Sequence, residues 1–462
     1  MSQATAKAEA ARILDAAPSP VAPAALTDLG NGERFARRNA DRFLHVYEQR
    51  RWLQYNGNRW ATDTTGAHKR AAKATARTIL AEASTLDGDR GEQTAKWALQ
   101  SQAEPRLRAM VEVASSEPGI ATSADQLDAD PWLLSCANGT LNLRTATLHQ
   151  PAPADLITRG TQIAYRDDAE CPRWLRFLSE VFDGDAELIA FVHKFVGCCL
   201  TGDTREHVLA VLHGSGCNGK STFIAVLQRL LGDLASAAAF DTFMRHRDSG
   251  GPRNDLARLQ GARLVTAAES GEGRRLDEAT VKEITGGDKI TARFLYGEHF
   301  EFVPHFKVVL VTNHRPRVDG EDDAMWRRLR LVPFEVSFEG REDRQLGAAL
   351  EQEMSGILRW AVDGCQTWQR DGLGEAGAVT RATAEYRQDE DVLGAFLAEC
   401  CHMHGETTTV GFRQAYENYC TDAGEKPLTP AVLGRRLTKR RVHREQRPDG
   451  DRARIYRGVS LR

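Results

Sequence analysis

Residues Gly214-Ser215-Gly216-Cys217-Asn218-Gly219-Lys220-Ser221 follow directly on the apolar run Val208-Leu209-Ala210-Val211-Leu212 and precede an amphipathic segment that ends at Leu231. Strand, glycine loop and helix start, in that order, make a phosphate-binding loop. The glycines let successive backbone N–H groups turn inward around an anion, and the helix from Ser221 to Leu231 aims the positive end of its dipole at the same point. Lys220 is expected to reach the β and γ phosphates of ATP, and the Ser221 hydroxyl to ligate Mg²⁺. The nucleotide-binding residues are therefore Gly214, Ser215, Gly216, Cys217, Asn218, Gly219, Lys220, Ser221 and Thr222.

Outward from this loop, strand and helix signals alternate from His207 to Phe338, which predicts an α/β sheet with the loop at the C-terminal end of a strand. Three later features separate a motor from a kinase or a switch. Arg263-Leu264-Val265-Thr266-Ala267-Ala268-Glu269 is a buried-type strand ending in a carboxylate, so Glu269 is expected to polarise the attacking water and to help hold Mg²⁺. Phe306-Lys307-Val308-Val309-Leu310-Val311-Thr312-Asn313 ends in an amide suited to orienting that water, which makes Asn313 the sensor. Trp326-Arg327-Arg328 precedes the strand Leu329 to Phe334 and offers guanidinium groups to a neighbouring subunit's nucleotide. Arg328 is the first choice for this finger and Arg327 the second.

The chain has 462 residues, 41% of them hydrophobic, enough for about two to four domains with a core each. Net charge is −3, so a polyanion partner must be met by local clustering of basic residues. The nine cysteines include the pairs Cys198-Cys199 and Cys400-Cys401 and no Cys-x-x-Cys, which points away from zinc and from a disulfide framework and toward a reducing cytoplasm. The most apolar stretch, Leu188 to Leu200, is broken by His193 and Lys194 and is no membrane span. The expected location is the cytoplasm of a bacterial host.

Residues 1–27 read as a disordered leader rich in Ala and Pro. Residues 28–170 read as a mainly helical module, with Phe35, Phe43, Val46 and Tyr47 on a helical pattern, a small hairpin from Trp52 to Trp60 around Asn56-Gly57, and short strands at 131–134, 138–143 and 155–158. Residues 171–205 form a helical collar, 206–345 the ATPase core, and 346–390 a helix followed by a linker.

The order of these motifs resembles superfamily 3 helicases, and more closely the helicase half of the phage/plasmid primase family, to which poxvirus primase-helicases are related. The resemblance rests on 214–222, on Val281-Lys282-Glu283-Ile284-Thr285-Gly286-Gly287-Asp288 with Ala292-Arg293-Phe294-Leu295-Tyr296, on Thr312-Asn313-His314-Arg315-Pro316, and on Trp326-Arg327-Arg328-Leu329 with Pro333-Phe334. It implies an AAA+-like P-loop core, a hexameric ring assembled from identical chains, hydrolysis of ATP at subunit interfaces and 3′ to 5′ translocation on single-stranded DNA. It also implies a hairpin from about Lys289 to Phe302 that projects into the ring channel, with Tyr296 and His299 at its tip. A basic and aromatic tip can touch phosphates and stack on bases without reading sequence, and Lys282, Lys289 and Arg293 are its expected basic contributors. One departure stands out, for many members carry two adjacent acids where this chain has Ala268 before Glu269. Glu269 is then expected to fill both acidic roles, with Glu272 a weaker substitute. No primase signature is visible, so priming is expected from a separate protein.

Residues 391–462 read as helices followed by two strands around Pro448-Asp449-Gly450-Asp451, the pattern of a winged helix-turn-helix. Arg435, Arg436, Lys439 and Arg440 on its last helix are expected to meet a DNA backbone. The sequence therefore predicts an ATP-dependent DNA helicase of phage or mobile-element replication, with an origin-binding initiator or loader as the alternative.

Overall fold

The computed structural model describes residues 24–245, 253–268, 273–293, 299–318, 322–446 and 454–462. Most of the expected leader, residues 1–23, lies outside these. The chain forms two compact units, one of Met1–Ala129 with Gln150–Arg159, the other of Asp130–His149 with Gly160–Arg462.

In the first unit, Thr27 caps helix α1 (Asp28–Asn39) by accepting from the Gly30 amide at 3.1 Å. Strands β1 (Phe43–Val46), β2 (Arg51–Tyr55) and β3 (Trp60–Thr62) follow, then helices α2 (Ala67–Ala83), α3 (Gly88–Gln100) and α4 (Glu104–Ala114), and strand β4 (Ala121–Thr122). The sheet order is β3-β2-β1-β4. The hairpin at Asn56-Gly57 forms as expected, with the Asn56 side-chain oxygen accepting from the amides of Asn58 and Arg59. The helical reading of Phe43 and Val46 gives way to β1, all four of whose residues are buried. A strand buried on both faces carries no alternation to betray it.

The second unit begins with a three-stranded antiparallel sheet, β5 (Leu133–Cys136), β6 (Gly139–Asn142) and β7 (Thr147–His149). The sequence reading grouped this stretch with the N-terminal module. Instead Trp132, Leu134, Leu141 and Leu143 join the core of the second unit, where Trp132 stacks on Trp368 with ring centroids 6.0 Å apart. The third expected strand, at 155–158, is absent among the described residues, and a short 3-10 turn, Pro153–Asp155, stands there.

Helices α5 (Pro172–Val181) and α6 (Ala186–Cys199) lead to a five-stranded parallel sheet. Its members are β8 (Leu209–His213), followed by helix α7 (Lys220–Leu231), then β9 (Ala235–Ala237), short helix α8 (Asn254–Ala257), β10 (Leu264–Ala268), helix α9 (Glu278–Gly286), the antiparallel pair β11 (Ile290–Arg293) and β12 (His299–Phe302), β13 (Lys307–Thr312), short helix α10 (Asp323–Trp326) and β14 (Leu329–Pro333). The strand order is β14-β8-β13-β10-β9. Successive residues of a strand point to opposite faces, and here the faces feed two cores. Ala210, Leu212 and Val309 pack with α5, α6 and α7, while Leu209, Val211, Val308 and Leu310 pack with α9, the hairpin and α10. Trp174 of α5, fully buried, stacks on Phe223 of α7 at 5.7 Å and so ties the collar to the helix that carries Lys220.

After β14 come helices α11 (Leu346–Gln352), α12 (Met354–Asp371) and α13 (Gly377–Asp389). The expected linker is thus largely a helix, held by Tyr386 edge-on to Trp326 at 5.2 Å and by the Thr383 hydroxyl, which accepts from the Leu331 amide at 3.1 Å. The chain ends in α14 (Val392–Cys400), β15 (Cys401–His402), β16 (Glu406–Thr408), α15 (Thr409–Asp422), α16 (Pro430–Lys439), β17 (His443–Gln446), β18 (Arg454–Arg457) and β19 (Ser460–Leu461). Leu393, Phe396, Phe412, Tyr416, Leu433 and Leu437 form a separate core beneath the sheet β16-β18-β17. The expected turn at Pro448–Asp451 lies outside the described residues. No helix among the described residues is long and apolar enough to cross a membrane.

Two buried cations fix the N-terminal edge of the sheet. Arg263, at the head of β10, donates to the carbonyls of Leu200 at 2.5 Å and Leu133 at 2.7 Å. Beside it, the ammonium of Lys307 donates to the carbonyls of Thr201 and Asp203. Carbonyls at the end of α6 have no helical partners of their own, and cations are favoured there. Replacing Lys307 by Met leaves these acceptors buried and unpaired, at a cost of about 2–4 kcal/mol. Urea unfolding should show it as a lower midpoint with unchanged slope, and an unchanged midpoint would show that the carbonyls find other donors.

Candidate functional site

The chain leaves β8 at His213 and re-enters regular structure at Lys220, the first residue of α7. Gly219 has φ of +85°, and a Cβ there would lie 2.7 Å from a Val181 methyl, so both backbone and packing require glycine. At Gly214 a Cβ would lie 2.1 Å from the Asn218 amide nitrogen and 2.2 Å from the Phe334 carbonyl oxygen. That close approach makes room for a clamp. Asn218 donates from Nδ2 to the Phe334 carbonyl at 3.0 Å, and its Oδ1 accepts from Lys220 Nζ at 2.9 Å. Lys220 Nζ also donates to the Gly214 carbonyl at 2.7 Å.

Lys220 is 5% exposed, and burial lowers its pKa from the ordinary lysine value. Both hydrogen-bond partners of its ammonium are neutral oxygens. Among the described residues no carboxylate pairs with this buried charge, and an anion entering the loop would compensate it. The residues present therefore fit a polyphosphate. The exposed Ser221 stands next to the buried lysine, where a phosphate-bound Mg²⁺ would meet it.

Strand β13 lies between β8 and β10, and all three are parallel, so they deliver their C-terminal ends to one edge. Thr312 pairs with His213 and Val311 with Ala268. Asn313, exposed, follows directly on Thr312. Glu269 follows directly on Ala268 and lies outside the described residues, as do Glu272 and Tyr296. Among the described residues, His213, Asn313, His314, Arg315, Arg317, Tyr386, Asp389 and Glu390 line an open cavity of about 570 Å³ at this edge. Burial, then the charges of Arg315 and Lys220, lower the pKa of His213, which keeps this imidazole neutral near pH 7.

The remaining expected residues fall elsewhere. Arg327 is exposed, its Nε donating to the Asp323 carbonyl at 3.3 Å. Arg328 is half-buried and engaged within its own chain, donating to Thr285 Oγ1 at 3.1 Å and to the Ala324 carbonyl at 2.8 Å. Lys282 forms an ion pair with Asp322. The hairpin β11–β12 forms where expected, with Ile290, Ala292 and Phe302 anchored in the core and Arg293 opposite His299. Lys289 and His299 are exposed and Arg293 is half-buried. On α16, Arg435 and Lys439 are exposed and Arg436 half-buried, while Arg440 binds both carboxylate oxygens of Asp391 at 2.7 Å. The sequence reading includes Arg315 within the segment 312–316 but assigns no role to it or to the acids Asp389 and Glu390. The only signal was position, two residues after the sensor for Arg315.

Residues 32–183 match the family model described as "D5 N terminal like", and residues 212–328 match a family of unknown function (DUF5906). A "Putative helicase" of Acanthamoeba polyphaga mimivirus is 29% identical over 296 residues, covering 59% of this chain and 31% of that protein. The chain is thus related to viral proteins named as putative helicases and primases. A "Putative primase" of African swine fever virus is 26% identical over 298 residues, again 59% of this chain and 31% of that protein. The chain spans less than a third of the length of either relative. Its fold matches the C-terminal region of NrS-1 with a TM-score of 0.52 over 90% of this chain and 96% of that one, at 10% identity.

Asn218→Ala removes the clamp on Lys220 and leaves the backbone of the loop in place. Binding of a fluorescent ATP analogue is expected to weaken about tenfold, with the circular dichroism spectrum unchanged. Unaltered affinity would mean that the Gly214 carbonyl alone positions the ammonium.

Proposed function

We propose that this chain is the motor portion of an ATP-dependent DNA helicase from a virus, phage or mobile element, working as a ring of identical subunits in the cytoplasm of its host. One observation carries the reading: the loop around Lys220 and the pair Arg327-Arg328 sit at opposite ends of the same two strands. Leu329 pairs with Leu209 at the start of β8, and the loop begins only after His213. Five residues of strand separate the two ends by roughly 16 Å. A chain so built does not bring its own arginines to its own nucleotide, and a neighbouring copy does so at an interface. Because Arg328 is engaged with Thr285 and Ala324, the exposed Arg327 is the better placed finger, with Arg328 holding the turn.

The strand order supports an AAA+-like core, since inserting β13 between β8 and β10 sets Asn313 between Lys220 and the position that follows Ala268. In this reading Glu269 activates water, Asn313 orients it, and Ser221, water and Glu269 hold Mg²⁺. ATP supplies the charge that Lys220 lacks. The β11–β12 hairpin carries Lys289, Arg293, Tyr296 and His299 toward single-stranded DNA. Helices α14, α15 and α16 with the sheet β16-β18-β17 follow the order of a winged helix, and Arg435, Arg436 and Lys439 would contact phosphates. Arg440 and Lys282 are weaker candidates, each already paired with a carboxylate. A separate protein would supply priming.

A mixing experiment tests the shared site. Lys220→Ala lacks the cradle charge, and Arg327→Ala combined with Arg328→Ala lacks the finger, so each alone should lose DNA-stimulated hydrolysis by a factor of about a thousand. Mixed together they should regain activity, because some interfaces join an intact cradle to an intact finger. A mixture as inactive as its components would rule out hydrolysis across an interface.

A further inference from the structure

We propose that Arg315 is a second cation for the terminal phosphate of ATP, supplied by the same chain that supplies Lys220, and that Asp389 holds it aside until the triphosphate arrives. The proposal rests on the nucleotide-binding reading of the Lys220 loop. Arg315 lies two residues beyond Asn313 and shares its cavity with His213, the residue that leads into the loop. Arg315 and Lys220 both act electrostatically on the His213 imidazole and lower its pKa.

The partners of the Arg315 side chain explain why it is available. Its Nη1 donates to Asp389 Oδ2 at 2.9 Å, and its guanidinium carbon lies 5.8 Å from the Tyr386 ring centroid. The carboxylate of Asp389 is 67% exposed and the arginine 30% exposed. An ion pair so open to water contributes little, whereas a terminal phosphate offers more charge and three acceptor oxygens to the same guanidinium. The backbone around it is held independently, since the Val318 amide donates to Glu390 Oε2 at 3.1 Å and the Tyr386 hydroxyl donates to the Pro316 carbonyl. The side chain can therefore change partners without unmaking the loop. ADP lacks the phosphate concerned and leaves Arg315 on Asp389.

Equilibrium binding of fluorescent ADP and of a non-hydrolysable fluorescent ATP analogue to the full chain tests this. Arg315→Ala should weaken the ATP analogue about tenfold and leave ADP within about twofold. Arg315→Lys should retain most of the affinity for the ATP analogue. Asp389→Asn should move the other way, tightening the ATP analogue about twofold to threefold by releasing the arginine. A merely structural role for Arg315 would shift both nucleotides alike. An unchanged ratio of the two affinities in Arg315→Ala, or weaker ATP analogue binding in Asp389→Asn, overturns the proposal. Lys220→Ala, measured alongside, separates the two levels. If it binds both nucleotides normally, the nucleotide-site reading falls. If it loses both while Arg315→Ala keeps the wild-type ratio, only the role of Arg315 falls.

Discussion

The ammonium of Lys220 sets the demand that the second unit is built to meet. It is nearly sealed from solvent and, among the described residues, is hydrogen-bonded to the Gly214 carbonyl and the Asn218 side chain. Water would solvate it better, so folding accepts an electrostatic cost at this point. Asn218 keeps the side chain aimed at the loop, Gly214 allows Asn218 close, and Phe334 at the end of β14 accepts the other half of the clamp. Such preorganisation makes sense where an anion arrives later, because the donors then need no rearrangement when charge appears.

The sheet that carries this loop is itself held from the opposite edge. Arg263 and Lys307 bind the frayed carbonyls between α6 and β8, so the strands delivering Asn313 and the Ala268 end are registered against the strand delivering Lys220. A displacement of one residue in that register would move each chemical group by over 3 Å and turn it to the other face. The two cores, fed by alternate residues of β8 and β13, oppose any such slip.

Local chemistry is what the sequence spelled out most clearly. The loop from Gly214 to Ser221 and the final pair of strands announce themselves by glycine placement or alternation within a few residues, whereas the β11–β12 strands around Arg293 and His299 follow from the family resemblance. The misread elements depend on partners far away in the chain. Helix α13 looks like a polar linker because only Val379 and Tyr386 along it are buried, and Tyr386 finds Trp326 across a separation that no local pattern encodes. Strand β1 is buried throughout, which hides the alternation that marks a half-exposed strand. Arg263 and Lys307 look like the polar heads of buried strands, yet they are the buried tethers. Nor does the sequence show that the Arg328 guanidinium donates to Thr285 and to the Ala324 carbonyl.

Thermal unfolding of the wild-type chain as a function of nucleotide concentration probes the central claim most directly, since a ligand that binds only the folded state stabilises it in proportion to the logarithm of its concentration. If the sealed ammonium awaits a triphosphate, the midpoint should climb steadily with a non-hydrolysable ATP analogue and Mg²⁺, and hardly move with AMP. A midpoint that stays fixed with the analogue at concentrations of about 1 mM would contradict the account, leaving Lys220 a structural lysine and the loop an ordinary turn.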